Sequence, residues 1–249
     1  NIKVIDQLKD NYSFIIYDDT GKACVIDPAE SLPIIKFVYN NSLKIKDIFI
    51  THHHKDHTSG VKELINIFPQ VNIHSPSSNI ENTRFILKNN DEVQSSVNSF
   101  MVISTPGHTL DHIVYYDNYN KVLFCGDTLF RLGCGRVFEG TLNQMYSSLQ
   151  KINKLNNNTS IYCGHEYTMN NLIFLETILK KKNLYSDIRR TIESDLKNYN
   201  QSVPFKLNDE KSYNLFFNQE SKIGEIVKKE LKLGNFELFK YLREGKDNF

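Results

Sequence analysis

Residues 45–57 read IKDIFITHHHKDH, an apolar run that leads directly into three histidines, a lysine, an aspartate and a fourth histidine. The apolar part is typical of a buried β-strand. His52 and His54 lie on one side of an extended chain, and a turn would bring Asp56 and His57 to the same cavity. The pattern predicts a bound cation, because several imidazoles protonating near neutral pH would otherwise repel one another. The alternative is a polar loop of solvated histidines.

Three further candidate ligands stand at the ends of other predicted strands, and each directly follows a glycine: His108, Asp127 and His165. Glycine lets the backbone approach a site closely, so these positions suit a metal platform along one edge of a sheet. Taken singly, each residue could equally cap a turn. Asp27 also ends a strand, where it either orients a ligand histidine or merely precedes the turn residue Pro28.

The order of predicted elements indicates an α+β fold. The pattern predicts strands near 2–8, 12–18, 23–27, 45–51, 71–74, 99–104, 111–117, 121–126 and 159–163, with helices near 31–41, 60–68 and 141–155. Only helices are predicted after that, near 168–182, 187–200, 217–232 and 235–244. We therefore expect a catalytic domain over residues 1–173 and a helical domain over 174–249.

The composition does not favour a nucleic-acid-binding protein or a membrane protein. The net charge of +1 gives no indication of nucleic-acid binding, and no apolar run approaches the roughly 18 residues of a membrane span. The four scattered cysteines are expected to be reduced and buried. We expect a cytoplasmic protein; because the chain starts at Asn1 without a Met, the alternative is a mitochondrial or plastid protein from which a targeting segment was removed.

The ligand order resembles that of the metallo-β-lactamase superfamily, whose members share an αββα sandwich. The resemblance covers essentially the whole chain. It implies that His52, His54 and His108 bind one metal ion and that Asp56, His57 and His165 bind a second. Asp127 would bridge the two ions. His53 would point away from them, His112 would support the ligands from behind, and His74 would be a surface residue.

Three stretches resemble, within that superfamily, the glyoxalase II family: GDTLFRLGCGR at 126–136, YCGHEYT at 162–168 and REGKDNF at 243–249. The resemblance implies that glutathione contacts come from Arg136, Phe138, Tyr167, Asn171, Arg243 and Lys246. Arg136 stands where many members have Lys, and Phe138 where some have Tyr, so one hydrogen bond to substrate would be lost. Lys55, where many relatives carry Trp, has no interpretation. Without the resemblance, Arg243 and Lys246 would be helix-end cations that interact with the helix dipole.

The function implied by this resemblance is hydrolysis of S-(2-hydroxyacyl)glutathione, such as S-D-lactoylglutathione, to glutathione and D-lactate in methylglyoxal detoxification. The nucleophile would be a metal-bridging hydroxide held through Asp127, Asp56 and His57. Two divalent ions are implied, with zinc expected and iron or manganese as alternatives. A monomer is expected, with a weak dimer as the alternative. The rivals are a mononuclear iron persulfide dioxygenase, a nuclease, and a catalytically silent glutathione- or metal-binding module.

Overall fold

The computed structural model describes residues 1–249. Two six-stranded β-sheets pack face to face. The first sheet contains β1 (Ile2–Gln7), β2 (Asn11–Tyr17), β3 (Lys22–Ile26), β4 (Lys44–Phe49), β5 (Asn72–Ser75) and β6 (Phe85–Ile86), in that order. The second contains β7 (Glu92–Gln94), β8 (Ser99–Ser104), β9 (Ile113–Asp117), β10 (Val122–Gly126), β13 (Ser160–Cys163) and β14 (Phe205–Lys206). A separate hairpin pairs β11 (Leu129–Phe130) with β12 (Gly133–Cys134).

The alternation of side chains along β2 explains why the first sheet is buried on both faces. Phe14 and Ile16 point into the larger core between the sheets, whereas Ile15 points into a smaller core beneath helices. The ring of Phe14 lies 5.4 Å from that of Phe124 in the second sheet. Such pairs of aromatic rings contribute about 0.5–1.5 kcal/mol beyond their buried area.

Helices cover the outer faces of the sandwich. They are α1 (Ser31–Asn40), α3 (Val61–Ile67) and α4 (Leu142–Asn153), whereas the short α2 (Lys55–Thr58) lies between β4 and α3 and contains Asp56 and His57. α1 and α3 enclose the smaller core with Ile34 and Leu64, and Leu149 of α4 belongs to the larger core. α4 begins with a capping box, in which Thr141 and Gln144 satisfy each other's backbone N–H groups. The expected αββα sandwich is confirmed.

The C-terminal part is helical, as predicted, and it packs against the sandwich as part of the larger core. It comprises α5 (Thr168–Leu179), a 3-10 helix (Lys182–Tyr185), α6 (Ser186–Tyr199), α7 (Leu207–Tyr213), α8 (Lys222–Leu231) and α9 (Asn235–Asp247). Residue 173 lies within α5, and a domain division there stays a prediction. None of the helices has both the length and the apolar character needed to cross a membrane.

Some predicted boundaries are wrong for local reasons. The helix expected at 217–232 begins at Lys222, because the Ser221 side chain caps it by accepting from the Gly224 N–H. The helix expected at 168–182 ends at Leu179, where Lys180 adopts a left-handed conformation. α7, the hairpin β11–β12 and the short strands β6, β7 and β14 were not predicted, since none has the length that makes a periodic pattern visible. β14 lies in the part of the chain where only helices were expected, and it pairs with β13 at the edge of the second sheet.

Candidate metal centre

The candidate ligands lie together at one end of the sandwich, because each follows the last residue of a strand or comes a few residues later. His52, His54, Asp56 and His57 follow β4, and His108 follows β8. Asp127 follows β10, and His165 comes after β13. Since β3 and β4 are parallel, as are β10 and β13, the ends of these strands meet at the same edge.

Three imidazole nitrogens converge on the first position. His52 Nε2 lies 3.2 Å from His54 Nδ1, which lies 3.0 Å from His108 Nε2. Three lone pairs this close are repulsive unless a proton or a cation lies between them. The three nitrogens could hold a single metal ion, with zinc–nitrogen bonds of about 2.0–2.1 Å.

A second group contains two imidazoles and a carboxylate. Asp56 Oδ2 lies 3.4 Å from His165 Nε2 and 3.8 Å from His57 Nε2. The Asn11 side chain orients Asp56 by donating to Oδ2 at 3.1 Å. These three residues could hold a second metal ion, as their ligand atoms all lie within 4.8 Å of one another.

Asp127 stands between the two groups. Its Oδ2 lies 3.4 Å from His108 Nε2 and 3.3 Å from His165 Nε2, while its Oδ1 lies 3.3 Å from His57 Nε2. A carboxylate in this position can bridge two cations. Asp127 Oδ1 and His57 Nε2 are buried and lack any hydrogen-bond partner. Because buried polar atoms are normally satisfied, these two orphan atoms fit a metal-binding site.

Hydrogen bonds behind the imidazoles fix which nitrogen faces the centre. The Nδ1–H of His57 donates to Asp27 (3.0 Å), that of His165 to Asp10 (2.9 Å), and that of His108 to the Arg136 carbonyl (2.8 Å). Each contact leaves the Nε2 lone pair free. A histidine held in this way is pre-oriented and made more basic as a metal ligand.

The carboxylates dominate the electrostatics of the centre. Burial by itself would lower the pKa of His57, but Asp127 and Asp27 outweigh it and raise that pKa to about 10. The pKa of His165 is likewise raised to about 11, against the effect of burial, by Asp127, Asp56 and Asp10. The pKa of Asp127 lies well below its usual value, because the neighbouring imidazoles more than offset its burial. Carboxylates that favour cationic imidazoles this strongly would also favour metal cations.

Two glycines make room for this arrangement. Gly126 has φ +46, and a Cβ there would lie 2.5 Å from the Thr51 hydroxyl and 2.9 Å from His112 Nε2. A Cβ on Gly164 would overlap Asp127 Oδ1 and lie 2.7 Å from His57 Cε1. The predicted close approach of backbone to the site therefore occurs at both positions.

The residues expected to support the ligands lie behind them. Asp27 accepts from the Thr51 N–H and hydroxyl, both at 2.7 Å, as well as from His57. His112 Nε2 accepts from the Asp127 N–H at 3.1 Å, and its ring stacks on His52. Asp27 is therefore in contact with a candidate ligand and does more than precede Pro28.

Two adjoining cavities open beside the centre. One, of about 610 Å³, lies over His54, Asp56, His108, Asp127 and His165. The other, of about 220 Å³, lies against α5 and α9. Phe130, Arg136 and Tyr167 line both, so the two cavities adjoin along these side chains, and together they form a cleft that reaches from the candidate metal centre to the helical domain.

The six residues expected to contact substrate all line this cleft, in different ways. Arg136 and Phe138 are more than half exposed, and Tyr167 stacks on His165 with ring centroids 4.7 Å apart. Asn171 is buried and donates to the Arg131 carbonyl at 3.1 Å. The Lys246 ammonium lies 5.3 Å from the Phe174 ring centroid, and burial together with the Arg243 charge lowers its pKa to about 8.

Arg243 is more than a helix-end cation. Its Nη1–H donates to the Cys134 carbonyl at 2.7 Å, and Nη2–H donates to Asp247 at 2.9 Å. The guanidinium is buried, and it joins α9 to the hairpin β11–β12. A substitution of Arg243 would therefore affect stability as well as the cleft.

Two residues that contact the candidate ligands were not predicted, and the predicted location of His74 is wrong. Asp10 and Asn11 were taken only as a turn signal, yet they contact His165 and Asp56. His74 was expected at the surface; it is buried, with Nε2 3.0 Å from Asp47 and its ring stacked between Phe49 and Phe85. No local sequence pattern indicates these contacts, because the partner residues are far apart in the chain. His53 turns towards Asp111 and Glu139, away from the candidate ligands' centre.

Comparisons with known proteins agree with this architecture. The family model described as "Metallo-beta-lactamase superfamily" matches residues 8–165, and "Hydroxyacylglutathione hydrolase C-terminus" matches residues 166–249. The hydroxyacylglutathione hydrolase of Salmonella paratyphi C (strain RKS4594) is 37% identical over 252 residues, covering 100% of both chains.

Solved structures show the same fold at lower identity. ETHE1 from Myxococcus xanthus superposes with a TM-score of 0.67 at 24% identity, covering 98% of this chain and 96% of that one. A metallo-beta-lactamase from Staphylococcus aureus gives a TM-score of 0.65 at 22% identity, with 98% of this chain and 70% of that one covered.

Proposed function

Because the chain belongs to the metallo-β-lactamase superfamily and, within it, to the hydroxyacylglutathione hydrolase family, we propose that it hydrolyses S-(2-hydroxyacyl)glutathione thioesters. S-D-lactoylglutathione is the proposed substrate, and glutathione and D-lactate are the products, as in methylglyoxal detoxification. The observation that carries the proposal is the cleft of two adjoining cavities between the candidate metal centre and Lys246.

The metal assignment is part of the proposal. His52, His54 and His108 would hold one divalent ion, while Asp56, His57 and His165 would hold the other, with Asp127 shared. Imidazole and carboxylate ligands suit zinc, which we propose, and also iron or manganese. Such ions supply Lewis acidity for the thioester carbonyl and lower the pKa of a water to about 7.

The chain's own residues would orient the substrate. Glutathione carries two carboxylates and one ammonium group, so its pocket requires cations. Arg136 and Lys246 provide two cations in the cleft, and the Tyr167 ring, stacked on His165, forms the wall between them and the candidate metal centre. Phe138 packs edge-on to His108, with ring centroids 5.3 Å apart, where it would exclude water from the reacting end.

This arrangement separates binding from chemistry. The glutathione moiety would occupy the helical-domain end of the cleft, which directs the thioester carbonyl to the candidate ligands. Contacts at that end exist equally in the ground state and the transition state, so they set KM more than kcat. The roles of Asp127, Asp56 and His57 would be catalytic through the metal ions that they hold.

The persulfide dioxygenase remains the main rival activity, and the C-terminal helices favour hydrolysis, because a hydroxyacylglutathione hydrolase family model matches residues 166–249. The test is hydrolysis of S-D-lactoylglutathione by the metal-loaded protein, with oxygen consumption on glutathione persulfide followed in parallel. We expect thioester cleavage that saturates at two metal ions per chain, without oxygen uptake. Oxygen uptake at one iron per chain, or no cleavage by the loaded protein, would reject the proposal.

A further inference from the structure

The hairpin β11–β12 connects the candidate metal centre to the cleft. It starts two residues after Asp127 and leads into Arg136, whose carbonyl accepts from His108. Phe130, on its first strand, lies edge-on to Tyr167 at 5.2 Å. Its two strands pair only with each other, so its position depends on contacts from outside the sheets.

Besides Asn171 and Arg243, which donate to the Arg131 and Cys134 carbonyls, two further side chains of the helical domain hold the backbone of this hairpin. Glu210, on α7, accepts from the Leu132 N–H at 2.8 Å. Asn214, one turn later, donates to the Gly133 carbonyl at 3.0 Å, to the Phe130 carbonyl at 3.3 Å and to Glu210 at 2.8 Å. Glu210 and Asn214 are completely buried. Their bonds therefore stabilise the hairpin without competition from water.

The turn of the hairpin needs this support. Leu132 has φ +60, a left-handed conformation that costs a residue with a Cβ roughly 1–2 kcal/mol. The N–H of Leu132 donates to the Glu210 carboxylate, so Glu210 holds the residue that has the strained backbone conformation. Strained residues persist only where surrounding contacts determine their conformation.

Glu210 is poorly suited to a purely structural role. Its Oε1 is buried without a partner. Burial raises the pKa of Glu210 to about 7, and the neighbouring Asp209 adds to the rise, whereas the Leu132 and Asn214 bonds and the Arg131 charge oppose it. Arg131 is itself paired with Asp195 of α6 at 2.8 Å. An uncharged side chain here would avoid the cost of a buried, ionisable group.

We propose that Glu210 and Asn214 are positioning residues: by holding the backbone of residues 130–133 they fix Phe130 and Arg136 in the substrate cleft. The inference rests on the proposed function for its kinetic consequences. The stabilisation of the hairpin by these two side chains can be measured without following turnover.

Glu210→Met tests the proposal by removing the acceptor while keeping an unbranched side chain. We expect kcat/KM for the thioester to fall about tenfold or more, mainly through KM, because a buried N–H is left without a partner. Amide hydrogen exchange in residues 129–134 should accelerate, whereas exchange in the sheets stays unchanged. If Glu210→Met fails to fold, Asn214→Ala serves instead, since it removes both carbonyl contacts and leaves the bond between Glu210 and the Leu132 N–H in place.

Glu210→Gln and Asp209→Asn complete the experiment. The glutamine keeps an acceptor oxygen for the Leu132 N–H and loses only the negative charge that strengthens this hydrogen bond. We therefore expect kcat/KM to recover to within about threefold of wild type. The Tm of Glu210→Gln at pH 8 should rise by about 2 °C or more, because a buried charge is removed. Asp209→Asn, on the same helix and without a hydrogen bond to the hairpin, should leave exchange and kinetics within about twofold.

The outcomes separate this inference from the proposed function. Wild-type kcat/KM and wild-type exchange in a folded Glu210→Met or Asn214→Ala protein would overturn it. Kinetic loss that simply follows Tm across all variants would also overturn it, as that is the signature of a structural role. If the wild-type protein did not cleave the thioester, the proposed function would fail, while faster exchange in the hairpin would still show the hold.

Discussion

Asp27→Asn tests whether the residues behind the imidazoles tune metal binding. The Asp27 carboxylate is almost fully buried and accepts from His57 Nδ1, the Thr51 N–H and the Thr51 hydroxyl. Asp27 has φ +48, a conformation that asparagine tolerates well. The substitution therefore leaves the backbone in place and removes only the charge and one acceptor oxygen.

The magnitude follows from the contacts. The asparagine oxygen can keep the Thr51 N–H bond of Oδ1, but an NH₂ group then faces the Nδ1–H of His57 and cannot accept from it. A charge-assisted hydrogen bond contributes about 1.5–3 kcal/mol. At 1.4 kcal/mol per factor of ten, the affinity for one of the two metal ions should fall about 10- to 100-fold. The ion at His52, His54 and His108 should be affected far less.

The assay is a competition titration of zinc against a chromophoric chelator, which resolves two binding steps. Asp47→Asn is the matched control, since Asp47 forms an equally buried 3.0 Å contact with His74 and touches none of the candidate ligands. It should lower the free energy of unfolding without changing either metal affinity. Two unchanged binding steps in Asp27→Asn would show that the Asp27 carboxylate does not tune metal binding through His57.

Four further results are expected. Asp127→Asn should abolish turnover while an inert S-alkylglutathione binds with wild-type affinity by calorimetry, since Asp127 faces the candidate ligands and not the helical-domain end of the cleft; weakened binding would contradict this. The Lys246 ammonium, with a pKa of about 8, is charged below that pH, so KM should rise about tenfold per pH unit above it, and Lys246→Arg should abolish the rise. Gly164→Ala should lower metal content, measured by elemental analysis, because the added Cβ overlaps Asp127; full metal content would be incompatible with the described geometry. Arg243→Ala should lower the free energy of unfolding in urea by about 2–3 kcal/mol, since it breaks one buried and one partly buried charge-assisted bond; an unchanged midpoint would argue against a contact that joins α9 to the hairpin.

The features that could be predicted from the sequence are those with a local pattern. The apolar run before His52 predicts a strand, and a glycine before Asp127 or His165 predicts a close approach at the strand's end. Since the ends of parallel strands meet at one edge, the convergence of these residues could be expected before their geometry was known.

The features that could not be predicted depend on pairs of residues far apart in the chain. Asp10 contacts His165 across 155 positions, and Glu210 contacts Leu132 across 78. No sequence periodicity connects such pairs. The residues next to His74 in the sequence likewise do not indicate whether its side chain is buried or exposed. The support behind the ligands therefore comes from packing, which a single sequence does not reveal.

We propose that seven side chains hold two metal ions on either side of Asp127. Anomalous X-ray scattering at the absorption edge of the bound metal, from crystals of the metal-loaded protein, measures this directly. We expect two peaks about 3.5–4 Å apart, one beside His54 and the other beside His165. A single peak, or a pair with only one member in contact with Asp127, would contradict this arrangement of ligands.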